Sequence, residues 1–236
     1  MAYPGGKAQP GVFQTLINQI PPHAVFISAC LGDCAVLLNK RPAARSIGID
    51  LDPAPLERWR LRGFPGLELY QTTAQAFLRA FFSLETWPPA PKHAQKPLGA
   101  FVYADPPYPM STRSGRKLYR HEMTDAQHAD LCAVLAALPC PVMVSTYPNA
   151  IYAAAFTGWS TLEYDAMTRG ATKRRELVYM NYPAPVALHD YAWAGAEKRE
   201  RERIRRRVRN WLRLLDDMDP TERGAVLQAI ADHYHA

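Results

Sequence analysis

The sequence predicts an α/β fold: a mixed, mostly parallel sheet closed by a C-terminal hairpin, with a basic helical tail appended. Three observations predict it. Short apolar runs alternate with helical patterns over residues 10–182, as in consecutive strand-helix units. The last two runs, residues 161–165 and 176–182, flank the basic, Gly-containing turn 168–175 and read as antiparallel arms. Beyond Pro183 the composition shifts to arginine with a helical apolar stripe, so residues 1–183 are expected to form one domain and 184–236 an extension.

In order along the chain, Val12, Leu16 and Ile20 fall four apart on one face of a first helix, which Pro21 and Pro22 end. Strands are expected at 24–29, 45–50, 99–104 and 141–146, apolar runs of the kind buried on both faces. Thr124 followed by Gln127 is a capping box, and its helix carries Leu131, Leu135 and Leu138 until Pro139 stops it. Residues 86–97 hold Pro88, Pro89, Pro91 and Pro97 and read as a surface loop. In the tail, Ile204, Val208, Trp211, Leu212 and Leu215 share one face of a helix. Asp219 and Pro220 suit the N-cap and first position of another, whose stripe is Val226, Leu227 and Ile230. A helical hairpin is the expected tail.

At 236 residues, the chain has room for one domain and an appendage. With 48% hydrophobic and 21% charged residues it can bury a core, which excludes wholesale disorder. The longest apolar stretch, 131–144, is too short for a membrane span and is broken by Pro139 and Pro141. No secretory signal opens the chain, so a cytoplasmic location is expected. Cys30, Cys34, Cys132 and Cys140 lack zinc-knuckle spacing, no histidine pair has a metal-binding helical spacing, and no metal is expected. No Ser-centred nucleophile motif appears, which removes the common hydrolase readings.

Charge is concentrated. Between 197 and 213, Lys198, Arg199, Arg201, Arg203, Arg205, Arg206, Arg207, Arg209 and Arg213 face only Glu197, Glu200 and Glu202, a net +6 that equals the formal charge of the whole chain. A polyanionic partner fits such a local basic element.

The strongest chemical signal is Asp105-Pro106-Pro107-Tyr108 directly after the strand 99–104. Ligands of open α/β sheets gather at the carboxyl ends of strands. Two prolines stiffen the turn and present the Asp105 carboxylate and Pro106 carbonyl as convergent acceptors for a planar NH2, while Tyr108 offers an aromatic face for a base. A second signal is the turn from Ser28 to Ala35 with one glycine, Gly32, followed by Gly48-Ile-Asp-Leu-Asp at the end of the next strand. A glycine there admits a ligand close to backbone, and Asp50 suits two ribose hydroxyls; a generic strand-to-helix turn has the same composition.

Together with Tyr3-Pro-Gly-Gly-Lys7 at the start, Thr168-Arg-Gly and Glu176-Leu-Val-Tyr-Met-Asn-Tyr182, these motifs resemble, in order, the Dam-type N6-adenine DNA methyltransferases. The resemblance spans about residues 2–183. It implies a Rossmann-like S-adenosylmethionine-dependent methyltransferase fold, a prokaryotic or phage-encoded enzyme, S-adenosylmethionine as cofactor and adenine-containing DNA as partner. Tyr3 and Lys7 would contact the cofactor. The turn Ala29, Cys30, Leu31, Gly32, Asp33, Cys34 would wrap its methionine part, and Asp50 with Leu51 would hold the ribose. Asp105, Pro106, Pro107 and Tyr108 would hold the target adenine.

The chain departs from the family's pattern in the first turn, which lacks a second glycine, and after the implied third strand, where Thr73 replaces an Asp that touches the cofactor's adenine. Only 54 positions lie between Asp50 and Asp105, leaving no space for an inserted recognition domain. Contacts to nucleic acid are therefore expected from Arg113, Arg116, Lys117 and Arg120, from Arg169, Lys173 and Arg174, and from Arg205, Arg206 and Arg209 on the tail. Two alternatives stay open at this level: a methyltransferase for RNA adenine or another planar amine, and an inactive DNA-binding descendant.

Overall fold

A computed structural model describes residues 7–83, 99–112, 119–167 and 173–235. The chain divides into two compact units, Met1–Tyr191 and Ala192–Ala236. The expected loop 86–97 lies outside the described residues.

The first unit runs α1 (Val12–Ile17), β1 (Val25–Ala29), α2 (Ala35–Asn39), β2 (Arg45–Asp50), α3 (Pro53–Arg62), β3 (Leu67–Gln71), α4 (Ala74–Ser83), β4 (Ala100–Ala104), α5 (Asp125–Ala136), β5 (Val142–Thr146), α6 (Ala150–Ala155), β6 (Ser160–Met167) and β7 (Lys173–Met180). One seven-stranded sheet has the order β3-β2-β1-β4-β5-β7-β6, and only β7 pairs antiparallel to its neighbours β5 and β6. This is the mixed, mostly parallel Rossmann-like sheet with a terminal hairpin that the sequence predicts. Its inner strands are buried on both faces, as their unbroken apolar runs require.

Several elements follow from local chemistry. Thr124 Oγ1 accepts from Gln127 N at 3.2 Å and Gln127 Oε1 accepts from Thr124 N at 2.8 Å, closing the capping box of α5. Asp52 caps α3 at 3.0 Å, Pro53 occupies its first turn, and Gly63 ends it at φ 64. The first helix stops at Ile17 rather than at Pro21. Gln19 and Ile20 donate three residues back, to Leu16 and Ile17, so the final turn tightens while Ile20 stays buried. The hairpin arms are longer than 161–165 and begin earlier than 176, because pairing continues from Ser160↔Met180 to Met167↔Lys173. The first unit extends past residue 183: Arg41 donates to Asp190 at 2.8 Å, and His189 donates to Ile20 at 2.9 Å.

In the second unit α7 (Lys198–Asp216) and α8 (Pro220–His235) form where expected, and Asp219 accepts from Thr221 N at 2.8 Å. Small Ala225, Ala229 and Ala231 are spread around α8, and Trp211, Leu212, Leu227 and Ile230 remain exposed. Among the described residues no helix is long and apolar enough to cross a membrane.

Register places the chemistry. Ala29 of β1 lies level with Ile49 of β2 and Ala104 of β4, so the residues that follow these strands leave the sheet side by side at its carboxyl edge. Strand β7 runs the other way, and its early residue Glu176 therefore arrives at the same edge.

Candidate functional site

At that edge lies a cleft whose floor is the turn 30–35, with Asp50, Leu51 and Asp52 on one side and Asp105, Pro107, Tyr103 and Lys7 on the other. Thr72–Gln75, Tyr119 and residues 121–123 complete it.

The turn is held from several directions. Leu31 N donates to the Ile49 carbonyl at 2.8 Å, Gly32 N to Asp50 Oδ2 at 2.8 Å, and Trp59 Nε1 to the Gly32 carbonyl at 2.8 Å. Cys30 adopts φ 61 and Gly32 φ 47, left-handed conformations that an L residue such as Cys30 adopts only at some cost. Gly48 leaves room for the turn, since a Cβ there would meet Leu31 Cδ2 at 2.7 Å and make that side chain shift. Asp50 Oδ1 also accepts from Asp52 N at 2.9 Å, and burial raises the Asp50 carboxyl against these two backbone bonds. Asp33 pairs with Arg58 at 3.0 Å, and Thr73 Oγ1 accepts from Ala76 N at 3.2 Å at the start of α4. Leu51 is 45% exposed beside the cleft, and Cys34 lines its floor with a thiol that burial pushes up to about 11.

Opposite stands a buried ionic cluster. Lys7 Nζ lies 3.1 Å from Asp105 Oδ1 and 2.8 Å from Glu176 Oε2, and it also donates to the Tyr108 hydroxyl. The Tyr108 hydroxyl donates to Glu176 Oε2 at 2.9 Å, nearer than Asp105 Oδ1 at 3.5 Å. Tyr164 donates to Glu176 Oε2 at 2.6 Å and sits 3.1 Å from Ser145 Oγ. Burial opposes the charge on Lys7, but Asp105, Tyr164 and Glu176 outweigh it and hold Lys7 well above the usual lysine range. Burial pushes Asp105 up to about 6 against the pull of Lys7. With Oδ1 taken by Lys7, Asp105 Oδ2 has no hydrogen-bond partner among the described residues, and the side chain keeps 21% exposure. An acceptor so placed suits an N–H donor in the cleft.

The expected residues thus divide. Ala29 is buried at the end of β1, where its carbonyl accepts from Asp105 N at 3.3 Å, and Cys30, Leu31, Gly32, Asp33, Cys34, Asp50, Leu51 and Thr73 line the cleft. Pro106 is buried and Pro107 lines the cleft. Tyr108 is 3% exposed, its hydroxyl inside the cluster and its ring 4.1 Å from that of Tyr147. Tyr3, Arg113, Arg116, Lys117 and Arg169 lie outside the described residues, as does the Lys173 side chain.

Arg120 reaches Asp52 at 3.7 Å. Arg174 donates to the Thr112 carbonyl at 2.8 Å and covers the Tyr147 ring at 5.3 Å, in a shallow hollow shared with Ser111 and Asn149. Within the second unit Arg205 is engaged, donating to the Ala192 carbonyl at 3.2 Å and lying over Trp193 at 4.6 Å, while Arg206 and Arg209 are exposed. Sequence reasoning missed Glu176, Tyr164 and Tyr147 as site residues. A lone acid opening the apolar run 176–180 was the one available signal.

No protein-family model matches the sequence, and no curated protein matches it. Solved structures do match. A 23S rRNA methyltransferase is 12% identical at TM-score 0.44, over 78% of this chain and 72% of its own. A dimethyladenosine transferase from Plasmodium falciparum is 12% identical at TM-score 0.42, over 73% of this chain and 61% of its own. A Streptococcus mutans protein described as a methyltransferase, in complex with SAH, is 10% identical at TM-score 0.42, over 71% of this chain and 94% of its own. At these identities and TM-scores the likeness is confined to the fold.

Proposed function

We propose that this chain is an S-adenosylmethionine-dependent methyltransferase acting on the exocyclic N6 amine of adenine in nucleic acid. One observation carries the reading: the carboxylate opening Asp105-Pro106-Pro107-Tyr108, with one oxygen that has no partner among the described residues, lines the cleft whose opposite wall is Asp50 and whose floor is the backbone-tied turn.

The donor set fits the cofactor. Asp50, with both oxygens anchored on backbone, keeps lone pairs for a ribose diol, exposed Leu51 suits the face of a purine, and the turn 30–34 borders the space for the amino-acid part. Thr73 offers no carboxylate to an adenine amine, so affinity there is expected to be weaker than an Asp would provide. Bound there, the cofactor supplies a methyl on a cationic sulfur.

The protein's own residues do the rest. Asp105 accepts from the target NH2 and draws its lone pair out of conjugation, stabilising the transition state more than the ground state. Lys7 and the two prolines fix the direction of that carboxylate. No metal enters this scheme.

The polymer is proposed as DNA on the order of the motifs, while the grip on an NH2 is indifferent to the sugar. Labelled-methyl transfer to duplex DNA, single-stranded DNA and RNA of one sequence separates them. The expected result is label on adenine in DNA, lost with Asp105→Ala. Label on RNA alone replaces the polymer in this reading, and failure of the cofactor to bind in calorimetry, with nucleic acid still bound, replaces it with an inactive binding module.

A further inference from the structure

The cluster behind the cleft contains one more carboxylate than gripping an amine requires. Lys7 and Asp105 alone would make a neutral pair, and a carboxylate fully matched by an ammonium is a weak base. Glu176 changes the balance: its Oε2 collects Lys7 at 2.8 Å, Tyr108 at 2.9 Å and Tyr164 at 2.6 Å, on a side chain only 7% exposed. One ammonium then serves two carboxylates.

We propose that Glu176 is a positioning residue that draws Lys7 partly away from Asp105, leaving Asp105 basic enough to take the proton an attacking amine releases. This rests on the reading of Asp105 as the group that grips that amine. In the step it serves, the amine lone pair forms the bond to the methyl carbon while the carbon–sulfur bond breaks and its electron pair stays on sulfur. The nitrogen, now cationic, gives one proton to Asp105, which returns it to solvent through the cleft.

The groups facing Asp105 support this. Tyr103, Tyr108 and Tyr164 are phenols that burial raises, and Tyr147 and Tyr152 are raised for the same reason. Cys30 and Cys34 of the turn are thiols that burial raises, Cys30 standing between Asp105 and Asp50. All of them are neutral at working pH. Among the described residues Lys7 and Glu176 are left as the near charges, the first lowering and the second raising Asp105.

The test uses the full chain with aspartate labelled with carbon-13 at the carboxyl, titrated by NMR without cofactor, the signal assigned with Asp105→Asn. Glu176→Gln is expected to lower the Asp105 midpoint by about one pH unit. The acid limb of kcat for methyl transfer should move down equally, with kcat at pH 7.5 reduced about threefold and KM for nucleic acid nearly unchanged. Glu176→Asp should restore the midpoint. Should Glu176→Gln not fold, Tyr164→Phe strips a donor from Glu176, strengthens its hold on Lys7 and raises the midpoint.

An Asp105 midpoint unmoved in these variants overturns the proposal, whatever the methylation assay gives. A moved midpoint with an unmoved acid limb overturns the proton-accepting role. A moved midpoint in a protein that transfers no methyl supports the electrostatic relation and fails the functional reading instead.

Discussion

Gly32 N donates to Asp50 Oδ2 at 2.8 Å, which makes the first turn and the end of the second strand one piece. Asp50→Ala removes this bond and the one from Asp52 N together. The expected result is a loss of S-adenosylmethionine affinity of at least about tenfold and a stability loss of about 1–3 kcal/mol from the unpaired buried amides, read by calorimetry and denaturant melts.

Gly48→Ala probes the same turn from beneath. The new Cβ would meet Leu31 Cδ2 at 2.7 Å and Leu69 Cδ2 at 3.1 Å. Both are side-chain ends with some freedom, so about 1–2 kcal/mol of destabilisation is expected, with weakened cofactor binding because Leu31 carries the turn. A variant as stable as the parent would show that β2 and the turn are not in this contact.

Lys7→Met leaves Asp105 and Glu176 side by side without their cation. About 3–5 kcal/mol of stability should be lost at pH 8, as for other broken buried pairs. The loss should shrink toward pH 5, because protonating Asp105, already near 6 in the parent, relieves the repulsion. Urea melts at the two pH values measure both.

His23 gives a separate acid dependence. It is buried against His189 with ring centroids 3.8 Å apart, and burial, with Lys40 next, lowers it to about 3 from an ordinary value of 6.5. A group lowered on folding contributes stability above its unfolded value. That contribution is lost as pH falls from about 6.5 toward 3. His23→Phe should flatten the fall in melting temperature between pH 6.5 and 4; an unchanged slope would assign the acid sensitivity elsewhere.

On the tail, Arg206 and Arg209 are exposed while Arg205 holds Ala192 and Trp193. Arg206→Ala with Arg209→Ala should weaken nucleic-acid binding and reduce the slope of log K against log salt by about 2. Arg205→Ala should mainly cost local order, seen as lost helical signal.

Much of the fold was legible. Strand β2 occupies 45–50 as read, and the capping box of α5 lies on Thr124 and Gln127. Both depend on short-range chemistry. Asp105 was placed at a strand end by the apolar run before it. What escaped depends on distant pairing: Glu176 joins the cluster behind the cleft because β7 runs antiparallel to β5, and no local pattern states that direction. The hydroxyl of Tyr108 turns inward to Glu176 and Lys7 for the same reason, and its ring meets Tyr147 from the segment after β5. In the tail, Asp219 and Pro220 stand at the start of the last helix as read, again from short-range chemistry.

Lys7 and Glu176 come from opposite ends of the first unit yet share one ion pair. During synthesis Lys7 and Asp105 therefore both leave the ribosome before Glu176, the second carboxylate of the cluster, is made. Completing the cluster is therefore tied to closure of the last hairpin of this unit, in which Glu176 pairs with Tyr164 across the two arms.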